Sequence, residues 1–320
     1  MNVSIALDNN VLVPAYVMLK SLVTTNTTPD INIYVLESSL TEQDKDFLSN
    51  SIKNAGNASL HFLHIEESAT EGLPTNQFWS KEMYYRLMLP ELLPNEDRIL
   101  YLDVDMIVNK DISEFYSVEF ENDLLIGSKD QEFENILNDP ELPPKRKASL
   151  TELSNKGMIY ICSGMLLMDL SGLRKEGYYF RKYVEIFNTI KDWVTLPDQD
   201  LINYVHYDRV GLVDENTFGV FAQTAHSNGR NYSDLKENTY IIHFTGKAKP
   251  WTINLVRYDI EKIWWEYAKL CPFYFELMEK VFTYSMESSF TENKINELVA
   301  ESNELRELIF KMKSLIPGLD

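Results

Sequence analysis

The sequence predicts an α/β protein built around a mostly parallel β-sheet. Short apolar runs of strand length alternate with helical patterns along much of the chain, and this alternation is typical of βαβ units. Several of these runs end directly in polar residues, as expected where α/β proteins bind ligands at the carboxyl ends of their strands. The length of 320 residues allows one large α/β domain with an appendage, or two small domains.

The first half of the chain contains apolar runs that are bounded by polar residues and therefore predict buried strands. These runs span residues 3–7, 31–36, 60–64 and 98–102. Helical patterns lie between them, at residues 14–24, 41–56 and 81–89. The second of these helices begins with Thr41-Glu-Gln-Asp44, which has the chemistry of a helix cap.

The second half continues the alternation and then changes character. Strands are expected at residues 124–128, 158–168 and 240–243, and helices at 171–191 and from Asp198 onwards. The stretch 131–156 is rich in charge, proline and asparagine, so we expect a mobile insertion or a lid there, with Lys145-Arg146-Lys147 in a solvated loop. Beyond about Trp251 the pattern becomes that of aromatic helices, at 260–270 and 273–284.

A final helix is expected over residues 291–316, and its apolar residues follow a seven-residue repeat. They are Ile295, Leu298, Leu305, Ile309, Met312 and Ile316, and Ser302 interrupts the repeat. About three heptads with an interruption are short for a coiled coil, so we favour packing of this helix on its own protein. The alternative is a docking or self-association helix.

The formal net charge of −19 disfavours nucleic acid or an anionic membrane as partner, because no basic patch is available to bind a polyanion. Only two cysteines are present, Cys162 and Cys271, so we expect a reducing compartment and no disulfide framework. The N-terminus lacks the segments of a signal peptide, and no apolar run has membrane-spanning length. We therefore expect a soluble, cytoplasmic protein.

Asp103 and Asp105 are the most informative pair of residues, because they directly follow the apolar run Arg98–Leu102. Two carboxylates at the end of a buried strand are unfavourable unless a cation holds them together. A divalent metal with oxygen ligands, carrying a diphosphate, would satisfy both. The alternative is a solvated Asp-x-Asp in a turn.

His243-Phe-Thr-Gly-Lys-Ala-Lys-Pro-Trp251 is the second informative segment. A neutral histidine at a strand end is a good metal ligand, and Gly246 allows a close backbone approach. The ammonium groups of Lys247 and Lys249 suit phosphate oxygens. Taken alone, His243 would more often be a structural histidine than a metal ligand.

Together, YLDVDMIV and HFTGKAKPW resemble glycosyltransferase family 8, whose members are retaining enzymes with the GT-A fold. The resemblance covers roughly residues 1–265, and it implies a GT-A catalytic domain there, with residues 266–320 as a helical C-terminal extension. It also implies a UDP-sugar donor, with galactose or glucose as the hexose, and a carbohydrate or glycoprotein acceptor.

The resemblance implies roles for individual residues. Asp103, Asp105 and His243 would bind Mn²⁺, which bridges the two phosphates of the donor. Further donor contacts are implied for Ala6, Asp8 and Asn10 (uracil and ribose), Gly246 and Lys249 (diphosphate), Arg86 (sugar and phosphate) and Val104. Asp130, Asp198 and Gln199 match residues that hold the sugar hydroxyls and flank its anomeric carbon.

Several of these residues also have an ordinary structural explanation. Asp8 could belong to a simple turn, and Arg86 could be a surface charge on its helix. Asp198 could be the N-cap of its helix. Asp130 could be an exposed loop acid, and Lys249 a solvated charge.

The chain departs from the family at Cys162. The family usually has Asn-x-Gly in the strand that here reads Ile161-Cys-Ser-Gly164, and its asparagine contacts the donor sugar. A thiol is a weak donor and acceptor, so the identity of the sugar is left open. Nothing in the sequence indicates a lowered thiol pKa, so Cys162 is not expected to be a nucleophile.

These observations predict a Mn²⁺-dependent retaining hexosyltransferase. Front-face attack is the preferred mechanism, because Gln199 carries an amide, which is a poor nucleophile. A sugar-nucleotide-binding or scaffold protein without catalysis is the first alternative. A nucleotidyltransferase is the second, although residues 7–12 lack its basic, Gly-rich phosphate loop. Family members with lipid acceptors tend to carry a basic, aromatic C-terminal segment. Residues 291–320 instead hold six acidic and four basic side chains, so membrane attachment is less expected and we expect a soluble acceptor such as a protein-linked glycan.

Overall fold

The computed structural model describes residues 1–27, 30–53, 55–75, 80–246, 249–252, 258–286 and 288–315. In the last helix it describes the side chains of residues 292–293, 295–309 and 311. Lys247, Ile316 and the side chain of Met312 therefore lie outside the described part of the chain.

Two β-sheets organise the fold. The larger sheet contains β1 (Asn2–Ala6), β2 (Ile31–Glu37), β3 (Ala58–His64), β4 (Arg98–Leu102), β6 (Leu125–Lys129), β7 (Ile161–Asp169) and β8 (Val210–Val213), in the order β3-β2-β1-β4-β7-β6-β8. The smaller sheet contains β5 (Met106–Val108), β9 (Val220–Phe221) and β10 (Ile241–His243), in the order β5-β10-β9. Among the described strands of the larger sheet, β7 alone runs antiparallel to its neighbours. The predicted α/β class with a mostly parallel sheet is confirmed.

Helices cover both faces of this sheet. In chain order, the α-helices of the described part are α1 (Leu12–Thr25), α2 (Glu42–Ile52), α3 (Leu89–Leu92), α4 (Ser113–Tyr116), α5 (Phe133–Asn138), α6 (Pro144–Asn155), α7 (Leu170–Lys175), α8 (Phe180–Ile190), α9 (Pro197–Val205), α10 (Ala222–Ser227), α11 (Tyr232–Asn238), α12 (Glu261–Ala268), α13 (Tyr274–Ser285) and α14 (Ser288–Leu315). Thr41 and Asp44 form the predicted capping box of α2. The single helix predicted over 171–191 is two helices, because Gly177 has a φ of +73° in the turn that separates α7 from α8.

The hydrophobic core has two layers, one on each face of the larger sheet. In β4, Leu100 and Leu102 face the layer that contains α1 and α12, whereas Ile99 and Tyr101 face the layer that contains α8 and α9. This alternation follows from the two-residue period of a strand. Both faces of β4 are therefore buried, which fixes its register and the position of the residues that follow it.

Strand directions bring several strand ends to one edge of the larger sheet. Because β1 and β4 are parallel, the residues after Ala6 and after Leu102 leave the sheet on the same side. β6 runs in the same direction as β4, since both are antiparallel to β7, so Lys129 also ends at this edge. The antiparallel strand β7 contributes its first residues, Ile161 to Gly164, to the same place. This common edge positions the candidate site.

The prediction of a solvated loop at Lys145-Arg146-Lys147 is wrong for Arg146, whereas a mobile insertion or lid over 131–156 stays a prediction. Residues 133–138 and 144–155 form α5 and α6, and Arg146 is buried instead of lying in a solvated loop. Its guanidinium forms an ion pair with the buried carboxylate of Asp200 on α9. The segment also has a small core of its own, in which Phe133 stacks on Tyr160 with ring centroids 4.5 Å apart. The charge-rich segment is therefore held to α9 by the buried ion pair of Arg146 with Asp200.

The prediction that the last helix packs on its own protein is also wrong for the described side chains. Ile295, Leu298, Leu305 and Ile309 are between 49% and 59% exposed. Among the described residues, α14 has its main contacts with α13. Its apolar face is therefore open to a partner. No helix in the described part of the chain combines the length and the apolar character that a membrane span requires.

Candidate active site

Asp103, Asp105 and His243 converge at the edge of the larger sheet. Asp103 follows β4, Asp105 precedes β5, and His243 ends β10. The antiparallel pairing of β5 and β10 sets His243 opposite Met106, and the N–H of Phe244 donates to the carbonyl of Asp105 over 3.0 Å. One potential ligand atom from each of the three side chains lies within 4.8 Å of the others. These three side chains, the candidate metal-binding triad, are close enough together to hold one metal ion.

Neighbouring positive charges keep Asp105 of this triad ionised. Oδ1 of Asp105 lies 3.0 Å from Nε2 of His243, yet this buried oxygen accepts no well-aligned hydrogen bond from the described residues. Burial alone would raise the pKa of Asp105, but the positive charges of Lys249 and His243 outweigh burial and lower it. The carboxylate is therefore ionised, which is the state in which a carboxylate binds a divalent metal.

Lys249 lies beside the triad. Its Nζ is 2.5 Å from Oδ2 of Asp105 and also donates to the carbonyl of Phe244 over 2.6 Å. The alternative of a solvated surface charge is therefore wrong. A fixed ammonium group next to the candidate metal ligands is well placed for an anionic ligand.

Arg86 lies beneath Asp103 and is buried, so the alternative of a helix-surface charge is also wrong. Its guanidinium donates to Oδ1 of Asp103 over 2.9 Å and to the carbonyl of Ser163, and it stacks over the ring of Tyr101 at 4.1 Å. Tyr101 donates its hydroxyl to the same Oδ1 over 3.0 Å. Two donors thus fix one oxygen of Asp103 and leave Oδ2 directed towards His243.

Asp130, Gln199 and Ser163 form a buried hydrogen-bond chain. Nε2 of Gln199 donates to Oδ2 of Asp130 over 2.8 Å, and Oε1 of Gln199 accepts from the N–H of Ser163 over 3.0 Å. The amide orientation of Gln199 is therefore fixed. Asp130 is buried, not an exposed loop acid, and burial raises its pKa.

Asp198 is not the N-cap of α9, because that helix begins at Pro197 after Leu196. The carboxylate of Asp198 is buried, and its Oδ2 lies 3.6 Å from Nε of Arg86 without accepting a hydrogen bond from any described residue. Burial raises the pKa of Asp198, which the charge of Arg86 only partly offsets. A buried carboxylate oxygen that pairs with the charge of Arg86 but accepts no hydrogen bond from the described residues is suited to a ligand hydroxyl.

The structure places the predicted nucleotide-binding residues at the same edge. Ala6 ends β1, and the carboxylate of Asp8 accepts both the N–H and the side-chain amide of Asn10 over 2.9 Å each. Val104 lies between the two metal-site aspartates and is partly buried against the core. Gly246 has a φ of +76°, and a Cβ built there meets no atom within 4 Å. Glycine is therefore favoured at position 246 by the positive φ angle, and not by a lack of space for a side chain.

Cys162 lies in the metal-binding region without the features of a nucleophile. Its Sγ is 3.8 Å from Nδ1 of His243, and burial raises the pKa of the thiol. Both observations agree with the sequence, which gave no sign of a lowered thiol pKa. The thiol sulfur lies against the imidazole of His243.

Gly164 is a site residue for which sequence reasoning gave no role. A Cβ at this position would lie 2.6 Å from Oδ2 of Asp103 and 2.7 Å from Cε1 of His243. The backbone carbonyl of Gly164 also accepts the N–H of Asp103 over 2.8 Å. The one signal in the sequence was the glycine of the family's Asn-x-Gly pattern. The pattern does not say why glycine is needed, because the reason is the close approach of Asp103 and His243 in the folded chain.

Gly164→Ala is expected to weaken Mn²⁺ binding by about 10–100-fold, because the methyl group would displace two of the three ligands. Calorimetric titration of the full chain with Mn²⁺ measures this. Gly211→Ala is the matched control, since its Cβ would also meet a carboxylate, Oδ2 of Asp123 at 2.7 Å, but outside the site. Equal Mn²⁺ affinities for the wild type and Gly164→Ala would contradict the assignment.

Comparison with solved structures supports the fold. A crystal structure of the galactosyltransferase LgtC in complex with donor and acceptor sugar analogues superimposes with a TM-score of 0.70 at 22% identity, over 85% of this chain and 96% of that one. The apo structure of the bifunctional glycosyltransferase WbbM gives a TM-score of 0.68 over 87% of this chain and 51% of that one. The predicted GT-A fold with a helical C-terminal region is confirmed.

Sequence comparison gives the family. A lipopolysaccharide 1,2-glucosyltransferase of Escherichia coli K12 is 26% identical over 78% of this chain and 72% of its own length. A lipopolysaccharide 1,3-galactosyltransferase of Salmonella typhimurium is 21% identical over the same shares. The family model described as glycosyl transferase family 8 matches residues 2–254, which confirms the resemblance seen in the sequence. The chain belongs to glycosyl transferase family 8.

Proposed function

We propose that the protein is a metal-dependent, retaining hexosyltransferase that moves galactose or glucose from a UDP-sugar to a carbohydrate or glycoprotein acceptor. The convergence of Asp103, Asp105 and His243 beside Lys249 is the observation that carries this proposal. Hexose as the transferred sugar is supported by the names of the relatives, a glucosyltransferase and a galactosyltransferase. In the proposed domain division, residues 1–265 hold the whole site.

Mn²⁺ is the proposed cation, because two carboxylates and one imidazole form a donor set of the kind that this metal accepts. When bound, it would act as a Lewis acid on the UDP leaving group. Lys249 would add a fixed positive charge where negative charge develops, and Arg86 would hold Asp103 in position. Ala6, Asp8, Asn10, Val104 and Gly246 are proposed to bind the nucleotide at the same edge.

Asp130, Asp198 and Gln199 are proposed to bind the donor sugar. Both oxygens of Asp130 accept hydrogen bonds, from Gln199 and from the N–H of Glu132, whereas Oδ2 of Asp198 has no donor among the described residues. Oε1 of Gln199 is engaged by the N–H of Ser163, which makes this amide still less suited to attack an anomeric carbon. Front-face attack, with UDP accepting the proton of the acceptor, is therefore our proposed mechanism.

Gln199→Ala is expected to lower kcat by about 10–100-fold and to leave measurable turnover. The reason is that Asp130 and the N–H of Ser163 would each lose a buried partner, at about 1–3 kcal/mol each. Initial rates of UDP release test this, with Gln131→Ala as a control on a neighbouring amide that contacts Glu215 instead. Complete loss of turnover in a folded Gln199→Ala protein would instead indicate an obligatory nucleophile.

Metal affinity is expected to rise with pH, by about tenfold per unit between pH 6.5 and 8.5. Burial would lower the pKa of His243, but the carboxylate of Asp105 raises it to about 10. Below that pKa the ring holds a proton, which must leave before a nitrogen can bind a metal, so acid competes with Mn²⁺. Titrations at several pH values measure the slope, and His243→Asn should remove it. A pH-independent affinity in the wild type would contradict this protonation state.

Mn²⁺-dependent release of UDP from a panel of UDP-hexoses tests the proposed function. We expect release with UDP-galactose or UDP-glucose in the presence of Mn²⁺, and none after removal of the metal by a chelator. The anomeric configuration of the product, read by NMR, tests retention. Tight UDP binding without release from any UDP-sugar would favour the alternative of a sugar-nucleotide-binding or scaffold protein.

A further inference from the structure

The apolar face of α14 has a regular spacing that the catalytic domain does not explain. Ile295 and Ile309 are two heptads apart, Leu298 and Leu305 one heptad apart, and all four side chains are about half exposed. A helix of 28 residues extends over about 42 Å. Apolar side chains along such a length are unfavourable in water, so this face is suited to a partner.

The positions of these residues indicate which partner. With Ile295 at heptad position a, Ile309 is also at a, and Leu298 and Leu305 are at d. Isoleucine at a with leucine at d favours a parallel, two-stranded coiled coil over higher oligomers. The outer positions b, c and f of the described part carry mainly polar residues: Asn293, Asn296, Glu297, Asn303, Glu304 and Glu307, with Ala300. The face of α14 opposite its apolar face is therefore polar and suited to contact with water.

One pair of flanking charges agrees with a second copy in parallel orientation, whereas Val299 at e and Leu308 at g are apolar. Glu301 is at position g and Arg306 is at the following position e, and both are exposed. In a parallel pair, g of one helix meets the following e of its partner, so Glu301 would pair with Arg306 twice across the two-fold axis. Self-complementary charge is a requirement for an interface between identical surfaces.

Other occupants of this face are less compatible with the chain. Among the described residues, the remainder of the protein does not cover it, since Ile295 to Ile309 stay exposed. The segment 291–320 has six acidic and four basic residues, so an anionic membrane surface would repel it.

We propose that α14 forms a parallel two-stranded coiled coil with α14 of a second copy of this chain. Residues 266–320 then serve assembly, whereas catalysis resides in residues 1–265. Ser302, at position a, weakens the seam at its centre and helps to fix its register. The dimer is independent of which sugar the active site accepts.

Sedimentation equilibrium of the full chain measures whether it dimerises and whether the a and d residues form the interface. We expect a dimer, and we expect Leu298→Asp with Leu305→Asp to weaken dimerisation by more than about 100-fold, because both put charge into the apolar interface. Asn293→Asp with Ala300→Asp is the matched control at position f, with the same number and spacing of added charges, and it should remain dimeric. A wild type that is monomeric at 100 µM would overturn the proposal, as would a dimer that survives the 298/305 pair.

Charge reversal tests the orientation. Glu301→Arg alone and Arg306→Glu alone should each weaken the dimer by about tenfold, because like charges would meet in both e–g pairs. A 1:1 mixture of these two variants should restore the affinity as a heterodimer, since each interhelical pair then joins opposite charges. Native mass spectrometry distinguishes the heterodimer by mass. Failure of the mixture to exceed the single variants would overturn the parallel register.

Discussion

Asp105→Asn is expected to lower kcat/KM for metal-dependent glycosyl transfer by at least about 10³-fold. Asp105 contacts two other residues of the site, because its Oδ1 lies 3.0 Å from Nε2 of His243 and its Oδ2 lies 2.5 Å from Nζ of Lys249. The amide has nearly the same volume but no charge, so both the metal affinity and the placement of Lys249 would suffer. A loss of about 4 kcal/mol of charge stabilisation in the transition state corresponds to this factor.

Initial rates with saturating UDP-sugar and a range of Mn²⁺ concentrations measure the effect. Asp192→Asn is the matched control, because Asp192 is an exposed acid that pairs with Lys145 at the surface. The thermal transition of Asp105→Asn, recorded without metal, separates loss of chemistry from loss of folding. Activity within tenfold of the wild type at saturating Mn²⁺ would show that Asp105 is not a metal ligand.

Arg146→Met is expected to lower the free energy of unfolding by about 3–5 kcal/mol. The guanidinium of Arg146 is 1% exposed, and Asp200 is equally buried. Without Arg146, the carboxylate of Asp200 would keep only three neutral donors: the hydroxyl of Tyr160 and the N–H groups of Thr195 and Leu196. An ionised carboxylate in that position is costly, so the whole segment that contains α6 would be destabilised.

Urea denaturation of the single and double variants measures this. Lys145→Met is the matched control, because Lys145 is the adjacent residue and its ion pair with Asp192 is solvent-exposed, so a change of about 0–1 kcal/mol is expected. Arg146→Met with Asp200→Leu should be less destabilised than the sum of the two single variants, since no charge is then left unpaired. Additive effects would mean that the two side chains do not interact.

The convergence of the three candidate metal ligands could be predicted from the sequence, because short local segments carry them. A buried strand followed at once by Asp103 and Asp105 limits where those carboxylates can lie, and the segment after His243 supplied the third ligand. Both segments are short and contiguous. Their convergence then depended only on the pairing of β5 with β10.

Gly164 and the buried Arg146–Asp200 pair could not be predicted in this way. Gly164 matters because β7 runs antiparallel and passes beneath Asp103 and His243, and strand direction leaves no trace in an apolar run. Arg146 is separated from Asp200 by 54 residues, and its neighbours Lys145 and Lys147 are solvent-exposed. Charge-rich composition predicts a solvated loop, and only the tertiary partner reverses that expectation.

In α14 the pattern was detected in the sequence, but its interpretation was wrong. The seven-residue repeat predicts an apolar face on this helix. Periodicity alone does not say whether that face packs on the same chain or stays exposed to bind another molecule. The exposed fraction of Ile295 and Leu305 makes this distinction, because it depends on what the remainder of the chain covers.

The buried pair between α6 and α9 also decides how the protein fluctuates. Asp200 lies in the same helical turn as Asp198 and Gln199, and it ties that turn to Arg146 and Tyr160. A local opening of residues 133–155 would have to separate a buried ion pair and unstack Phe133. Amides in α6 and in the first turn of α9 should therefore exchange with solvent as one cooperative unit. The charge-rich segment and the turn that carries Asp198 and Gln199 are therefore expected to move together.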